Sequence, residues 1–157
     1  MNKIYLDMDG VVCNFMKAYS TIDLPDTPRK FRHAVSHLRI FENLEWMPNG
    51  KELVQRLIEL DIPVEILSSR GTHDDSVGEE GIRQKNLWLD REGITFPRNF
   101  VRVGEEKRNY STQGTLLIDD TPKVIDSFNL GQGHAFLYED SKFSEYMQKL
   151  EMHIWQL

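Results

Sequence analysis

The chain has 157 residues, 39% hydrophobic and 28% charged, a balance that fits one globular domain able to bury roughly 70% of its unfolded surface. Its 25 acidic and 19 basic residues give a formal charge of −6, which argues against an extended nucleic-acid-binding face but leaves room for a small phosphorylated ligand in a local pocket. Cys13 is the only cysteine, no stretch is apolar enough to span a membrane, and the N-terminus lacks the apolar run of a signal peptide, so a reducing cytoplasm is the expected setting.

The first informative stretch is Ile4 to Gly10. Ile4 to Leu6 reads as a short buried strand of a parallel sheet, with Asp7, Asp9 and Gly10 at its carboxyl end. Side chains alternate along a strand, so Asp7 and Asp9 can face one site while Met8 turns away. Carboxylates that close repel unless a divalent cation lies between them or one holds a proton. Either arrangement suits phosphoryl transfer to one aspartate with the other moving a proton; an Asp-Gly turn beside a solvated acid is the alternative.

Val11 to Tyr19 starts helical, and Phe15 lies close enough to look back into the crevice, although core packing is the default for a lone phenylalanine. Pro25 and Pro28 then interrupt the pattern, and Arg29 to Phe41 resumes helical spacing through Phe31, Val35, Leu38 and Phe41. Residues 16–47 are thus expected to form a small lid or cap, with Phe31 and Phe41 as its own small core rather than a base-stacking platform.

Pro48-Asn49-Gly50 marks a boundary, and Lys51 to Leu60 is an amphipathic helix with Leu53, Val54, Leu57, Ile58 and Leu60 on one face. Val64 to Leu67 is a second strand, ending in Ser68, Ser69 and Arg70. Thr72 to Gly81 reads as a long mobile loop. His73, Asp74 and Asp75 within it are expected to be solvated, because no second cluster completes a metal-ligand set. Ile82 to Glu92 is a helix stopped by Gly93. Strands follow at Phe100 to Val103, Leu116 to Ile118 and Ala135 to Leu137. Thr121 is placed as the N-cap of a helix from Pro122 through Phe128, and Ser141 to Leu150 closes the chain, with Trp155 and Leu157 packed on the body. The alternation predicts an α/β fold, a doubly wound parallel sheet with a small helical cap after the first strand.

In such a sheet the strand ends share one rim. The rim would gather Asp7 and Asp9, the hydroxyl of Ser68, the ammonium of Lys107 and the pair Asp119-Asp120. Each is ordinary alone; together they supply groups to hold phosphate oxygens and carboxylates to hold a cation.

Asp7-x-Asp9-Gly10-Val11, Leu67-Ser68-Ser69, Lys107 and Leu117-Ile118-Asp119-Asp120 resemble, in order, the motifs of the haloacid-dehalogenase-like phosphatases. Phe15, Leu44-Glu45-x-Met47-Pro48-x-Gly50, Lys85-x-x-Trp88 and Leu116 to Pro122 are most similar to the 5′(3′)-deoxyribonucleotidases. The resemblance implies a Rossmann-like core, Mg²⁺ as cofactor and a nucleoside monophosphate as substrate. It implies Asp7 as nucleophile and Asp9 as acid and base, with Ser68, Ser69, Arg70 and Lys107 at the phosphate and Phe15 lining the pocket. Asp7, Asp119, Asp120 and the backbone carbonyl of Asp9 would hold the metal. The insertion is short for that family, and Arg70 stands where a proline is common. A polynucleotide 3′-phosphatase and a small sugar-phosphate phosphatase are the competing enzymes. A non-catalytic receiver-like protein fits less well, because receivers place the acidic pair on the first strand and the phosphoacceptor later.

Overall fold

The computed structural model describes residues 1–155. Five parallel strands form one sheet in the order β3-β2-β1-β4-β5: β1 Lys3–Leu6, β2 Val64–Ser69, β3 Arg98–Val101, β4 Thr115–Asp119 and β5 His134–Leu137. The chain runs outward from β1 through β2 to β3, then returns across β1 to β4 and β5. This reversal leaves β1 central, with Leu6 level with Ile66 on one side and Ile118 on the other.

The period of two sorts the strand residues between two cores. Ile4, Leu6, Ile66, Leu116 and Ile118 join the larger one, with Leu53 and Leu57 of α3 (Gly50–Glu59), Trp88 and Leu89 of α4 (Asp75–Arg91) and Met147 and Leu150 of α6 (Phe143–Trp155). Tyr5, Leu67 and Leu117 join the smaller, under Val124, Ile125 and Phe128 of α5 (Pro122–Asn129). Covering on both faces explains why the strands read as nearly continuous apolar runs. No helix among the described residues is long and apolar enough to cross a membrane.

Between β1 and α3 lie α1 (Phe15–Tyr19), α2 (Pro28–Ser36) and a 3₁₀ turn at Ile40–Asn43. The expected continuous helix to Phe41 is divided at Arg39, whose φ of 52° is left-handed. α4 ties this insertion down. The fully buried Gln84 donates through Nε2 to the Val35 carbonyl at 2.8 Å and accepts the Phe41 N–H through Oε1 at 3.3 Å. Trp88 Nε1 donates to the Leu44 carbonyl at 2.8 Å.

Several expectations are corrected. Most of the stretch read as a mobile loop at Thr72 to Gly81 belongs to α4, which begins at Asp75; Asp74 caps it by accepting the N–H groups of Ser76 at 3.0 Å and Val77 at 3.2 Å. Its glycines mark close packing, since a Cβ on Gly78 would lie 2.5 Å from Arg70 Cδ. Thr121 makes no side-chain cap bond, Ile58 is exposed, and Trp155 is 85% exposed rather than packed; Leu157 lies outside the described residues.

Replacing Gln84 with Leu leaves the Val35 carbonyl and Phe41 N–H buried and unpaired. This should cost about 2 kcal/mol, read as a lowered midpoint in urea unfolding with unchanged m-value.

Candidate active site

Asp7 follows directly on β1 and its N–H donates to the Ile118 carbonyl at 3.0 Å, which extends the β1–β4 ladder by one bond. Asp7 and Asp119 fall on the face toward α5, where Lys107 enters from the 3₁₀ segment Gly104–Tyr110. Lys107 is 2% exposed, and its Nζ donates to Asp7 Oδ1 at 2.9 Å and to Asp119 Oδ2 at 2.7 Å. Burial alone would lower its pKa, but the two carboxylates outweigh burial and hold it above the ordinary lysine range. Asp119 Oδ1 accepts the Thr121 N–H at 3.0 Å.

Asp120 completes the cluster. Asp7, Asp119 and Asp120 each present an oxygen within 4.8 Å of the others. Gly10, at φ 81°, packs so closely that a Cβ there would overlap the Asp120 carboxylate, so only glycine fits. Burial, then Asp7, push the carboxyl of Asp119 up to about 6 and that of Asp120 up to about 7. Three carboxylates with one lysine among them carry uncompensated negative charge, which suits a hard divalent cation. Asp119 has both oxygens engaged, whereas Asp120 meets only the Thr121 hydroxyl at 3.3 Å, so Asp120 is the freer ligand.

Asp9 belongs to a second cluster. Its Oδ2 accepts from Lys85 Nζ at 3.0 Å, and the same ammonium donates to Ser68 Oγ at 2.7 Å and to the Ser69 carbonyl at 2.8 Å. Oδ1 of Asp9 is buried without a hydrogen-bond partner among the described residues. Burial pushes this carboxyl above the usual range, against the pull of Lys85.

A cavity of about 310 Å³ opens over the rim, lined by Asp7, Asp9, Ser69, Lys107, Asp119 and Asp120 at its base. Phe15, Phe31 and Phe41 also line it. Phe15 stacks on Phe41 with centroids 5.4 Å apart, and Phe31 meets Phe41 edge-on at 6.1 Å. Phe31 and Phe41 therefore do more than fill the insertion's interior; they give the cavity an aromatic wall.

The predicted residues are not all placed as expected. Asp7, Asp119, Asp120 and Lys107 meet; the carboxylate of Asp9, a residue expected to offer the metal only its backbone carbonyl, lies outside the three-carboxylate cluster. Ser68 is fully buried and bonded to Lys85 instead of lining the cavity, which Ser69 lines. Ser69 Oγ accepts the Gly71 N–H at 3.0 Å and donates to the Arg102 carbonyl at 3.3 Å. Arg70 borders the cavity, and its guanidinium is held by Asp75 Oδ1 at 2.6 Å through Nη2 and by the Thr72 carbonyl at 3.0 Å through Nε, which ties it to the start of α4. His73, Asp74 and Asp75 form no metal group among the described residues. Lys85 was missed as a site residue. A signal existed: it shares one stripe of α4 with Val77, Gly81, Gln84, Trp88 and Leu89, all buried, where a lysine needs a partner.

The raised carboxyls at Asp119 and Asp120 make the metal-free folded state bind protons more tightly than the unfolded chain, so their contribution to stability is present below pH 4 and lost as pH rises through 6 to 7. A cation bound there restores it. Added Mg²⁺ should therefore raise the melting temperature more at pH 8 than at pH 5, by several degrees at millimolar concentration, measured by calorimetry.

No protein-family model matches the sequence, and no curated protein matches it. Solved structures do match the fold. D,D-heptose 1,7-bisphosphate phosphatase from Burkholderia thailandensis superposes with a TM-score of 0.53 at 11% identity, over 85% of this chain and 75% of that one. A provisionally named β-phosphoglucomutase from Thermotoga maritima gives 0.53 at 13% identity, over 95% and 99% of the two chains. A hydrolase from Streptococcus pneumoniae gives 0.51 at 13% identity, over 94% and 98%. At these identities the likeness is one of fold: the chain shares the Rossmann-like α/β architecture of these structures.

Proposed function

We propose that the protein is a Mg²⁺-dependent phosphatase acting through a phosphoaspartate, and that its substrates are deoxyribonucleoside monophosphates. The observation that carries the reading is Asp7 at the base of the cavity, one oxygen held by Lys107 and the other left for attack, beside a carboxylate pair and beneath an aromatic wall. Asp7, Asp119 and Asp120, with the Asp9 backbone carbonyl, would hold Mg²⁺. When bound, the cation neutralises charge on the phosphate and on the carboxylates around it.

In the first half-reaction Asp7 Oδ2 forms a bond to phosphorus as the ester P–O bond breaks. Asp9 gives its proton to the departing alkoxide. In the second half Asp9 takes a proton from water as that water attacks phosphorus, which breaks the Asp7–phosphorus linkage and releases inorganic phosphate with Asp7 restored. Lys107 donates to Asp7 and stands beside the phosphate oxygens, and Ser69 lies on the cavity wall. Lys107 also keeps Asp7 in one rotamer, so little reorganisation precedes attack.

The substrate class rests on the sequence resemblance and on the aromatic wall. A cavity of about 310 Å³ suits one sugar and base better than a strand, and the acidic net charge supplies no counter-ion surface for a polynucleotide. Apolar stacking discriminates weakly, so tolerance among bases is expected. Residues 16–47 serve as the cap of a single domain in this reading.

Asp7→Asn keeps the shape but lacks the nucleophilic carboxylate, so turnover should fall more than about 10⁴-fold with the melting temperature little changed. Wild-type-like turnover by the folded variant removes Asp7 from this role.

A screen of deoxyribonucleoside monophosphates, sugar phosphates and a 3′-phosphorylated oligonucleotide, each with Mg²⁺ and with excess chelator, tests the class. dTMP or dUMP should be cleaved fastest, and only with the metal. Faster cleavage of the oligonucleotide or of sugar phosphates overturns the nucleotidase assignment, and full activity in chelator overturns the metal.

A further inference from the structure

Lys85 has no part in the reaction described above, yet it is among the most constrained side chains in the molecule. It is fully buried on the inner stripe of α4. An ammonium in that position is tolerable only when paired and hydrogen-bonded. Its three protons meet three acceptors: Ser68 Oγ and the Ser69 carbonyl at the end of β2, and Asp9 Oδ2 after β1. Phe41 of the insertion covers it, with the ring centroid 4.6 Å from Nζ. The donor capacity of the ammonium is filled, and two of its three anchors do not depend on Asp9.

From the side of Asp9 the dependence is one-sided. Lys85 is the only hydrogen-bond partner of its carboxylate among the described residues, and it holds Oδ2. Oδ1 is unpaired. Lys107, which orients Asp7 and Asp119, makes no hydrogen bond to Asp9. The two aspartates of the motif are thus each set by their own lysine, from opposite faces of the sheet.

We propose that Lys85 is a positioning residue: anchored to the end of β2, it fixes the Asp9 carboxylate through Oδ2 and so sets where that carboxylate gives and takes the proton. This rests on the acid–base role given to Asp9 above. It assigns Lys85 no contact with the substrate, because the side chain is fully buried and does not line the cavity. A misplacement of about 1 Å at a reacting group costs on the order of 100-fold in rate. The loss should fall on the step that needs a proton and spare a leaving group that needs none.

The test compares wild type, Lys85→Met, Lys85→Arg, Asp9→Asn and the Lys85→Met/Asp9→Asn double variant on two esters, with folding checked by circular dichroism and thermal melting. One ester is p-nitrophenyl phosphate, whose leaving group departs as an anion; the other is dTMP, or the alkyl phosphate that the substrate screen identifies. Lys85→Met should lose about 100-fold in kcat on the alkyl ester and less than about 5-fold on the aryl ester, with KM little changed. Lys85→Arg should recover part of the alkyl-ester rate. In the Asp9→Asn background, Lys85→Met should add almost nothing, because a residue acting through Asp9 has nothing left to act through.

Equal losses on both esters, or a Lys85→Met effect of the same size with and without Asp9, overturn the proposal and leave Lys85 as structural support. If Lys85→Met does not fold, Lys85→Gln, which keeps a donor, is read by the same two ratios. A wild-type enzyme inert toward both esters with Mg²⁺ removes the phosphatase reading and this proposal with it, whereas an active wild type with non-selective variants removes the positioning role alone.

Discussion

The constraint on which the structure depends is the crowding of carboxylates at the carboxyl end of β1. Asp7, Asp119 and Asp120 lie within a few ångströms of one another, and Asp9 is two residues away. Like charges this close, partly out of water, are costly unless cations are built in. Two buried lysines meet the requirement from opposite faces: Lys107 bridges Asp7 and Asp119, and Lys85 holds Asp9 against the end of β2. The compensation is incomplete around Asp120, and that residual negative charge is what makes the place suitable for a divalent cation. The pairing is therefore as much a division of labour as a source of stability, since each motif aspartate is oriented by a different element.

α4 carries the second half of the design. On one buried stripe it presents Gln84 to the backbone of the insertion, Lys85 to the rim of the sheet and Trp88 to the Leu44 carbonyl. The insertion is thus fixed to the same helix that orients Asp9. Phe41 illustrates the economy: its N–H bonds to Gln84, its ring covers Lys85, and that ring also stacks on Phe15 at the cavity wall. Contact with α4, cover for Lys85 and the lining of the cavity thus share a few contiguous contacts of the insertion.

The close approach of Gly10 to Asp120 links the two ends of the chain's motifs. A left-handed φ at Gly10 turns the backbone just after the first aspartates and leaves no room for a side chain. Parallel pairing of β1 with β4 brings Asp120 to that spot, so the turn and the acidic pair, more than a hundred residues apart, are fitted to each other.

The sequence alone determined the sheet class and the set of residues on its rim, because both are local signals. Short apolar runs ending in polar groups mark parallel strands, and Asp7, Lys107, Asp119 and Asp120 stand at the ends of such runs or just beyond them. It failed where a residue's role depends on partners far along the chain. Thr72 to Gly81 looked like a loop because its glycines suggest flexibility, when Gly78 makes room for Arg70. The ties of Arg70 to Asp75 and the Thr72 carbonyl were likewise invisible in the spacing. Ser68 reads as a hydroxyl for phosphate oxygens, but it is buried and bonded to Lys85. Phe15, Phe31 and Phe41 read as core one at a time, and only their convergence over the carboxylates makes a wall. Spacing along a chain reveals which face of an element a side chain takes; which groups it meets there is decided by packing between elements, and so by the tertiary structure.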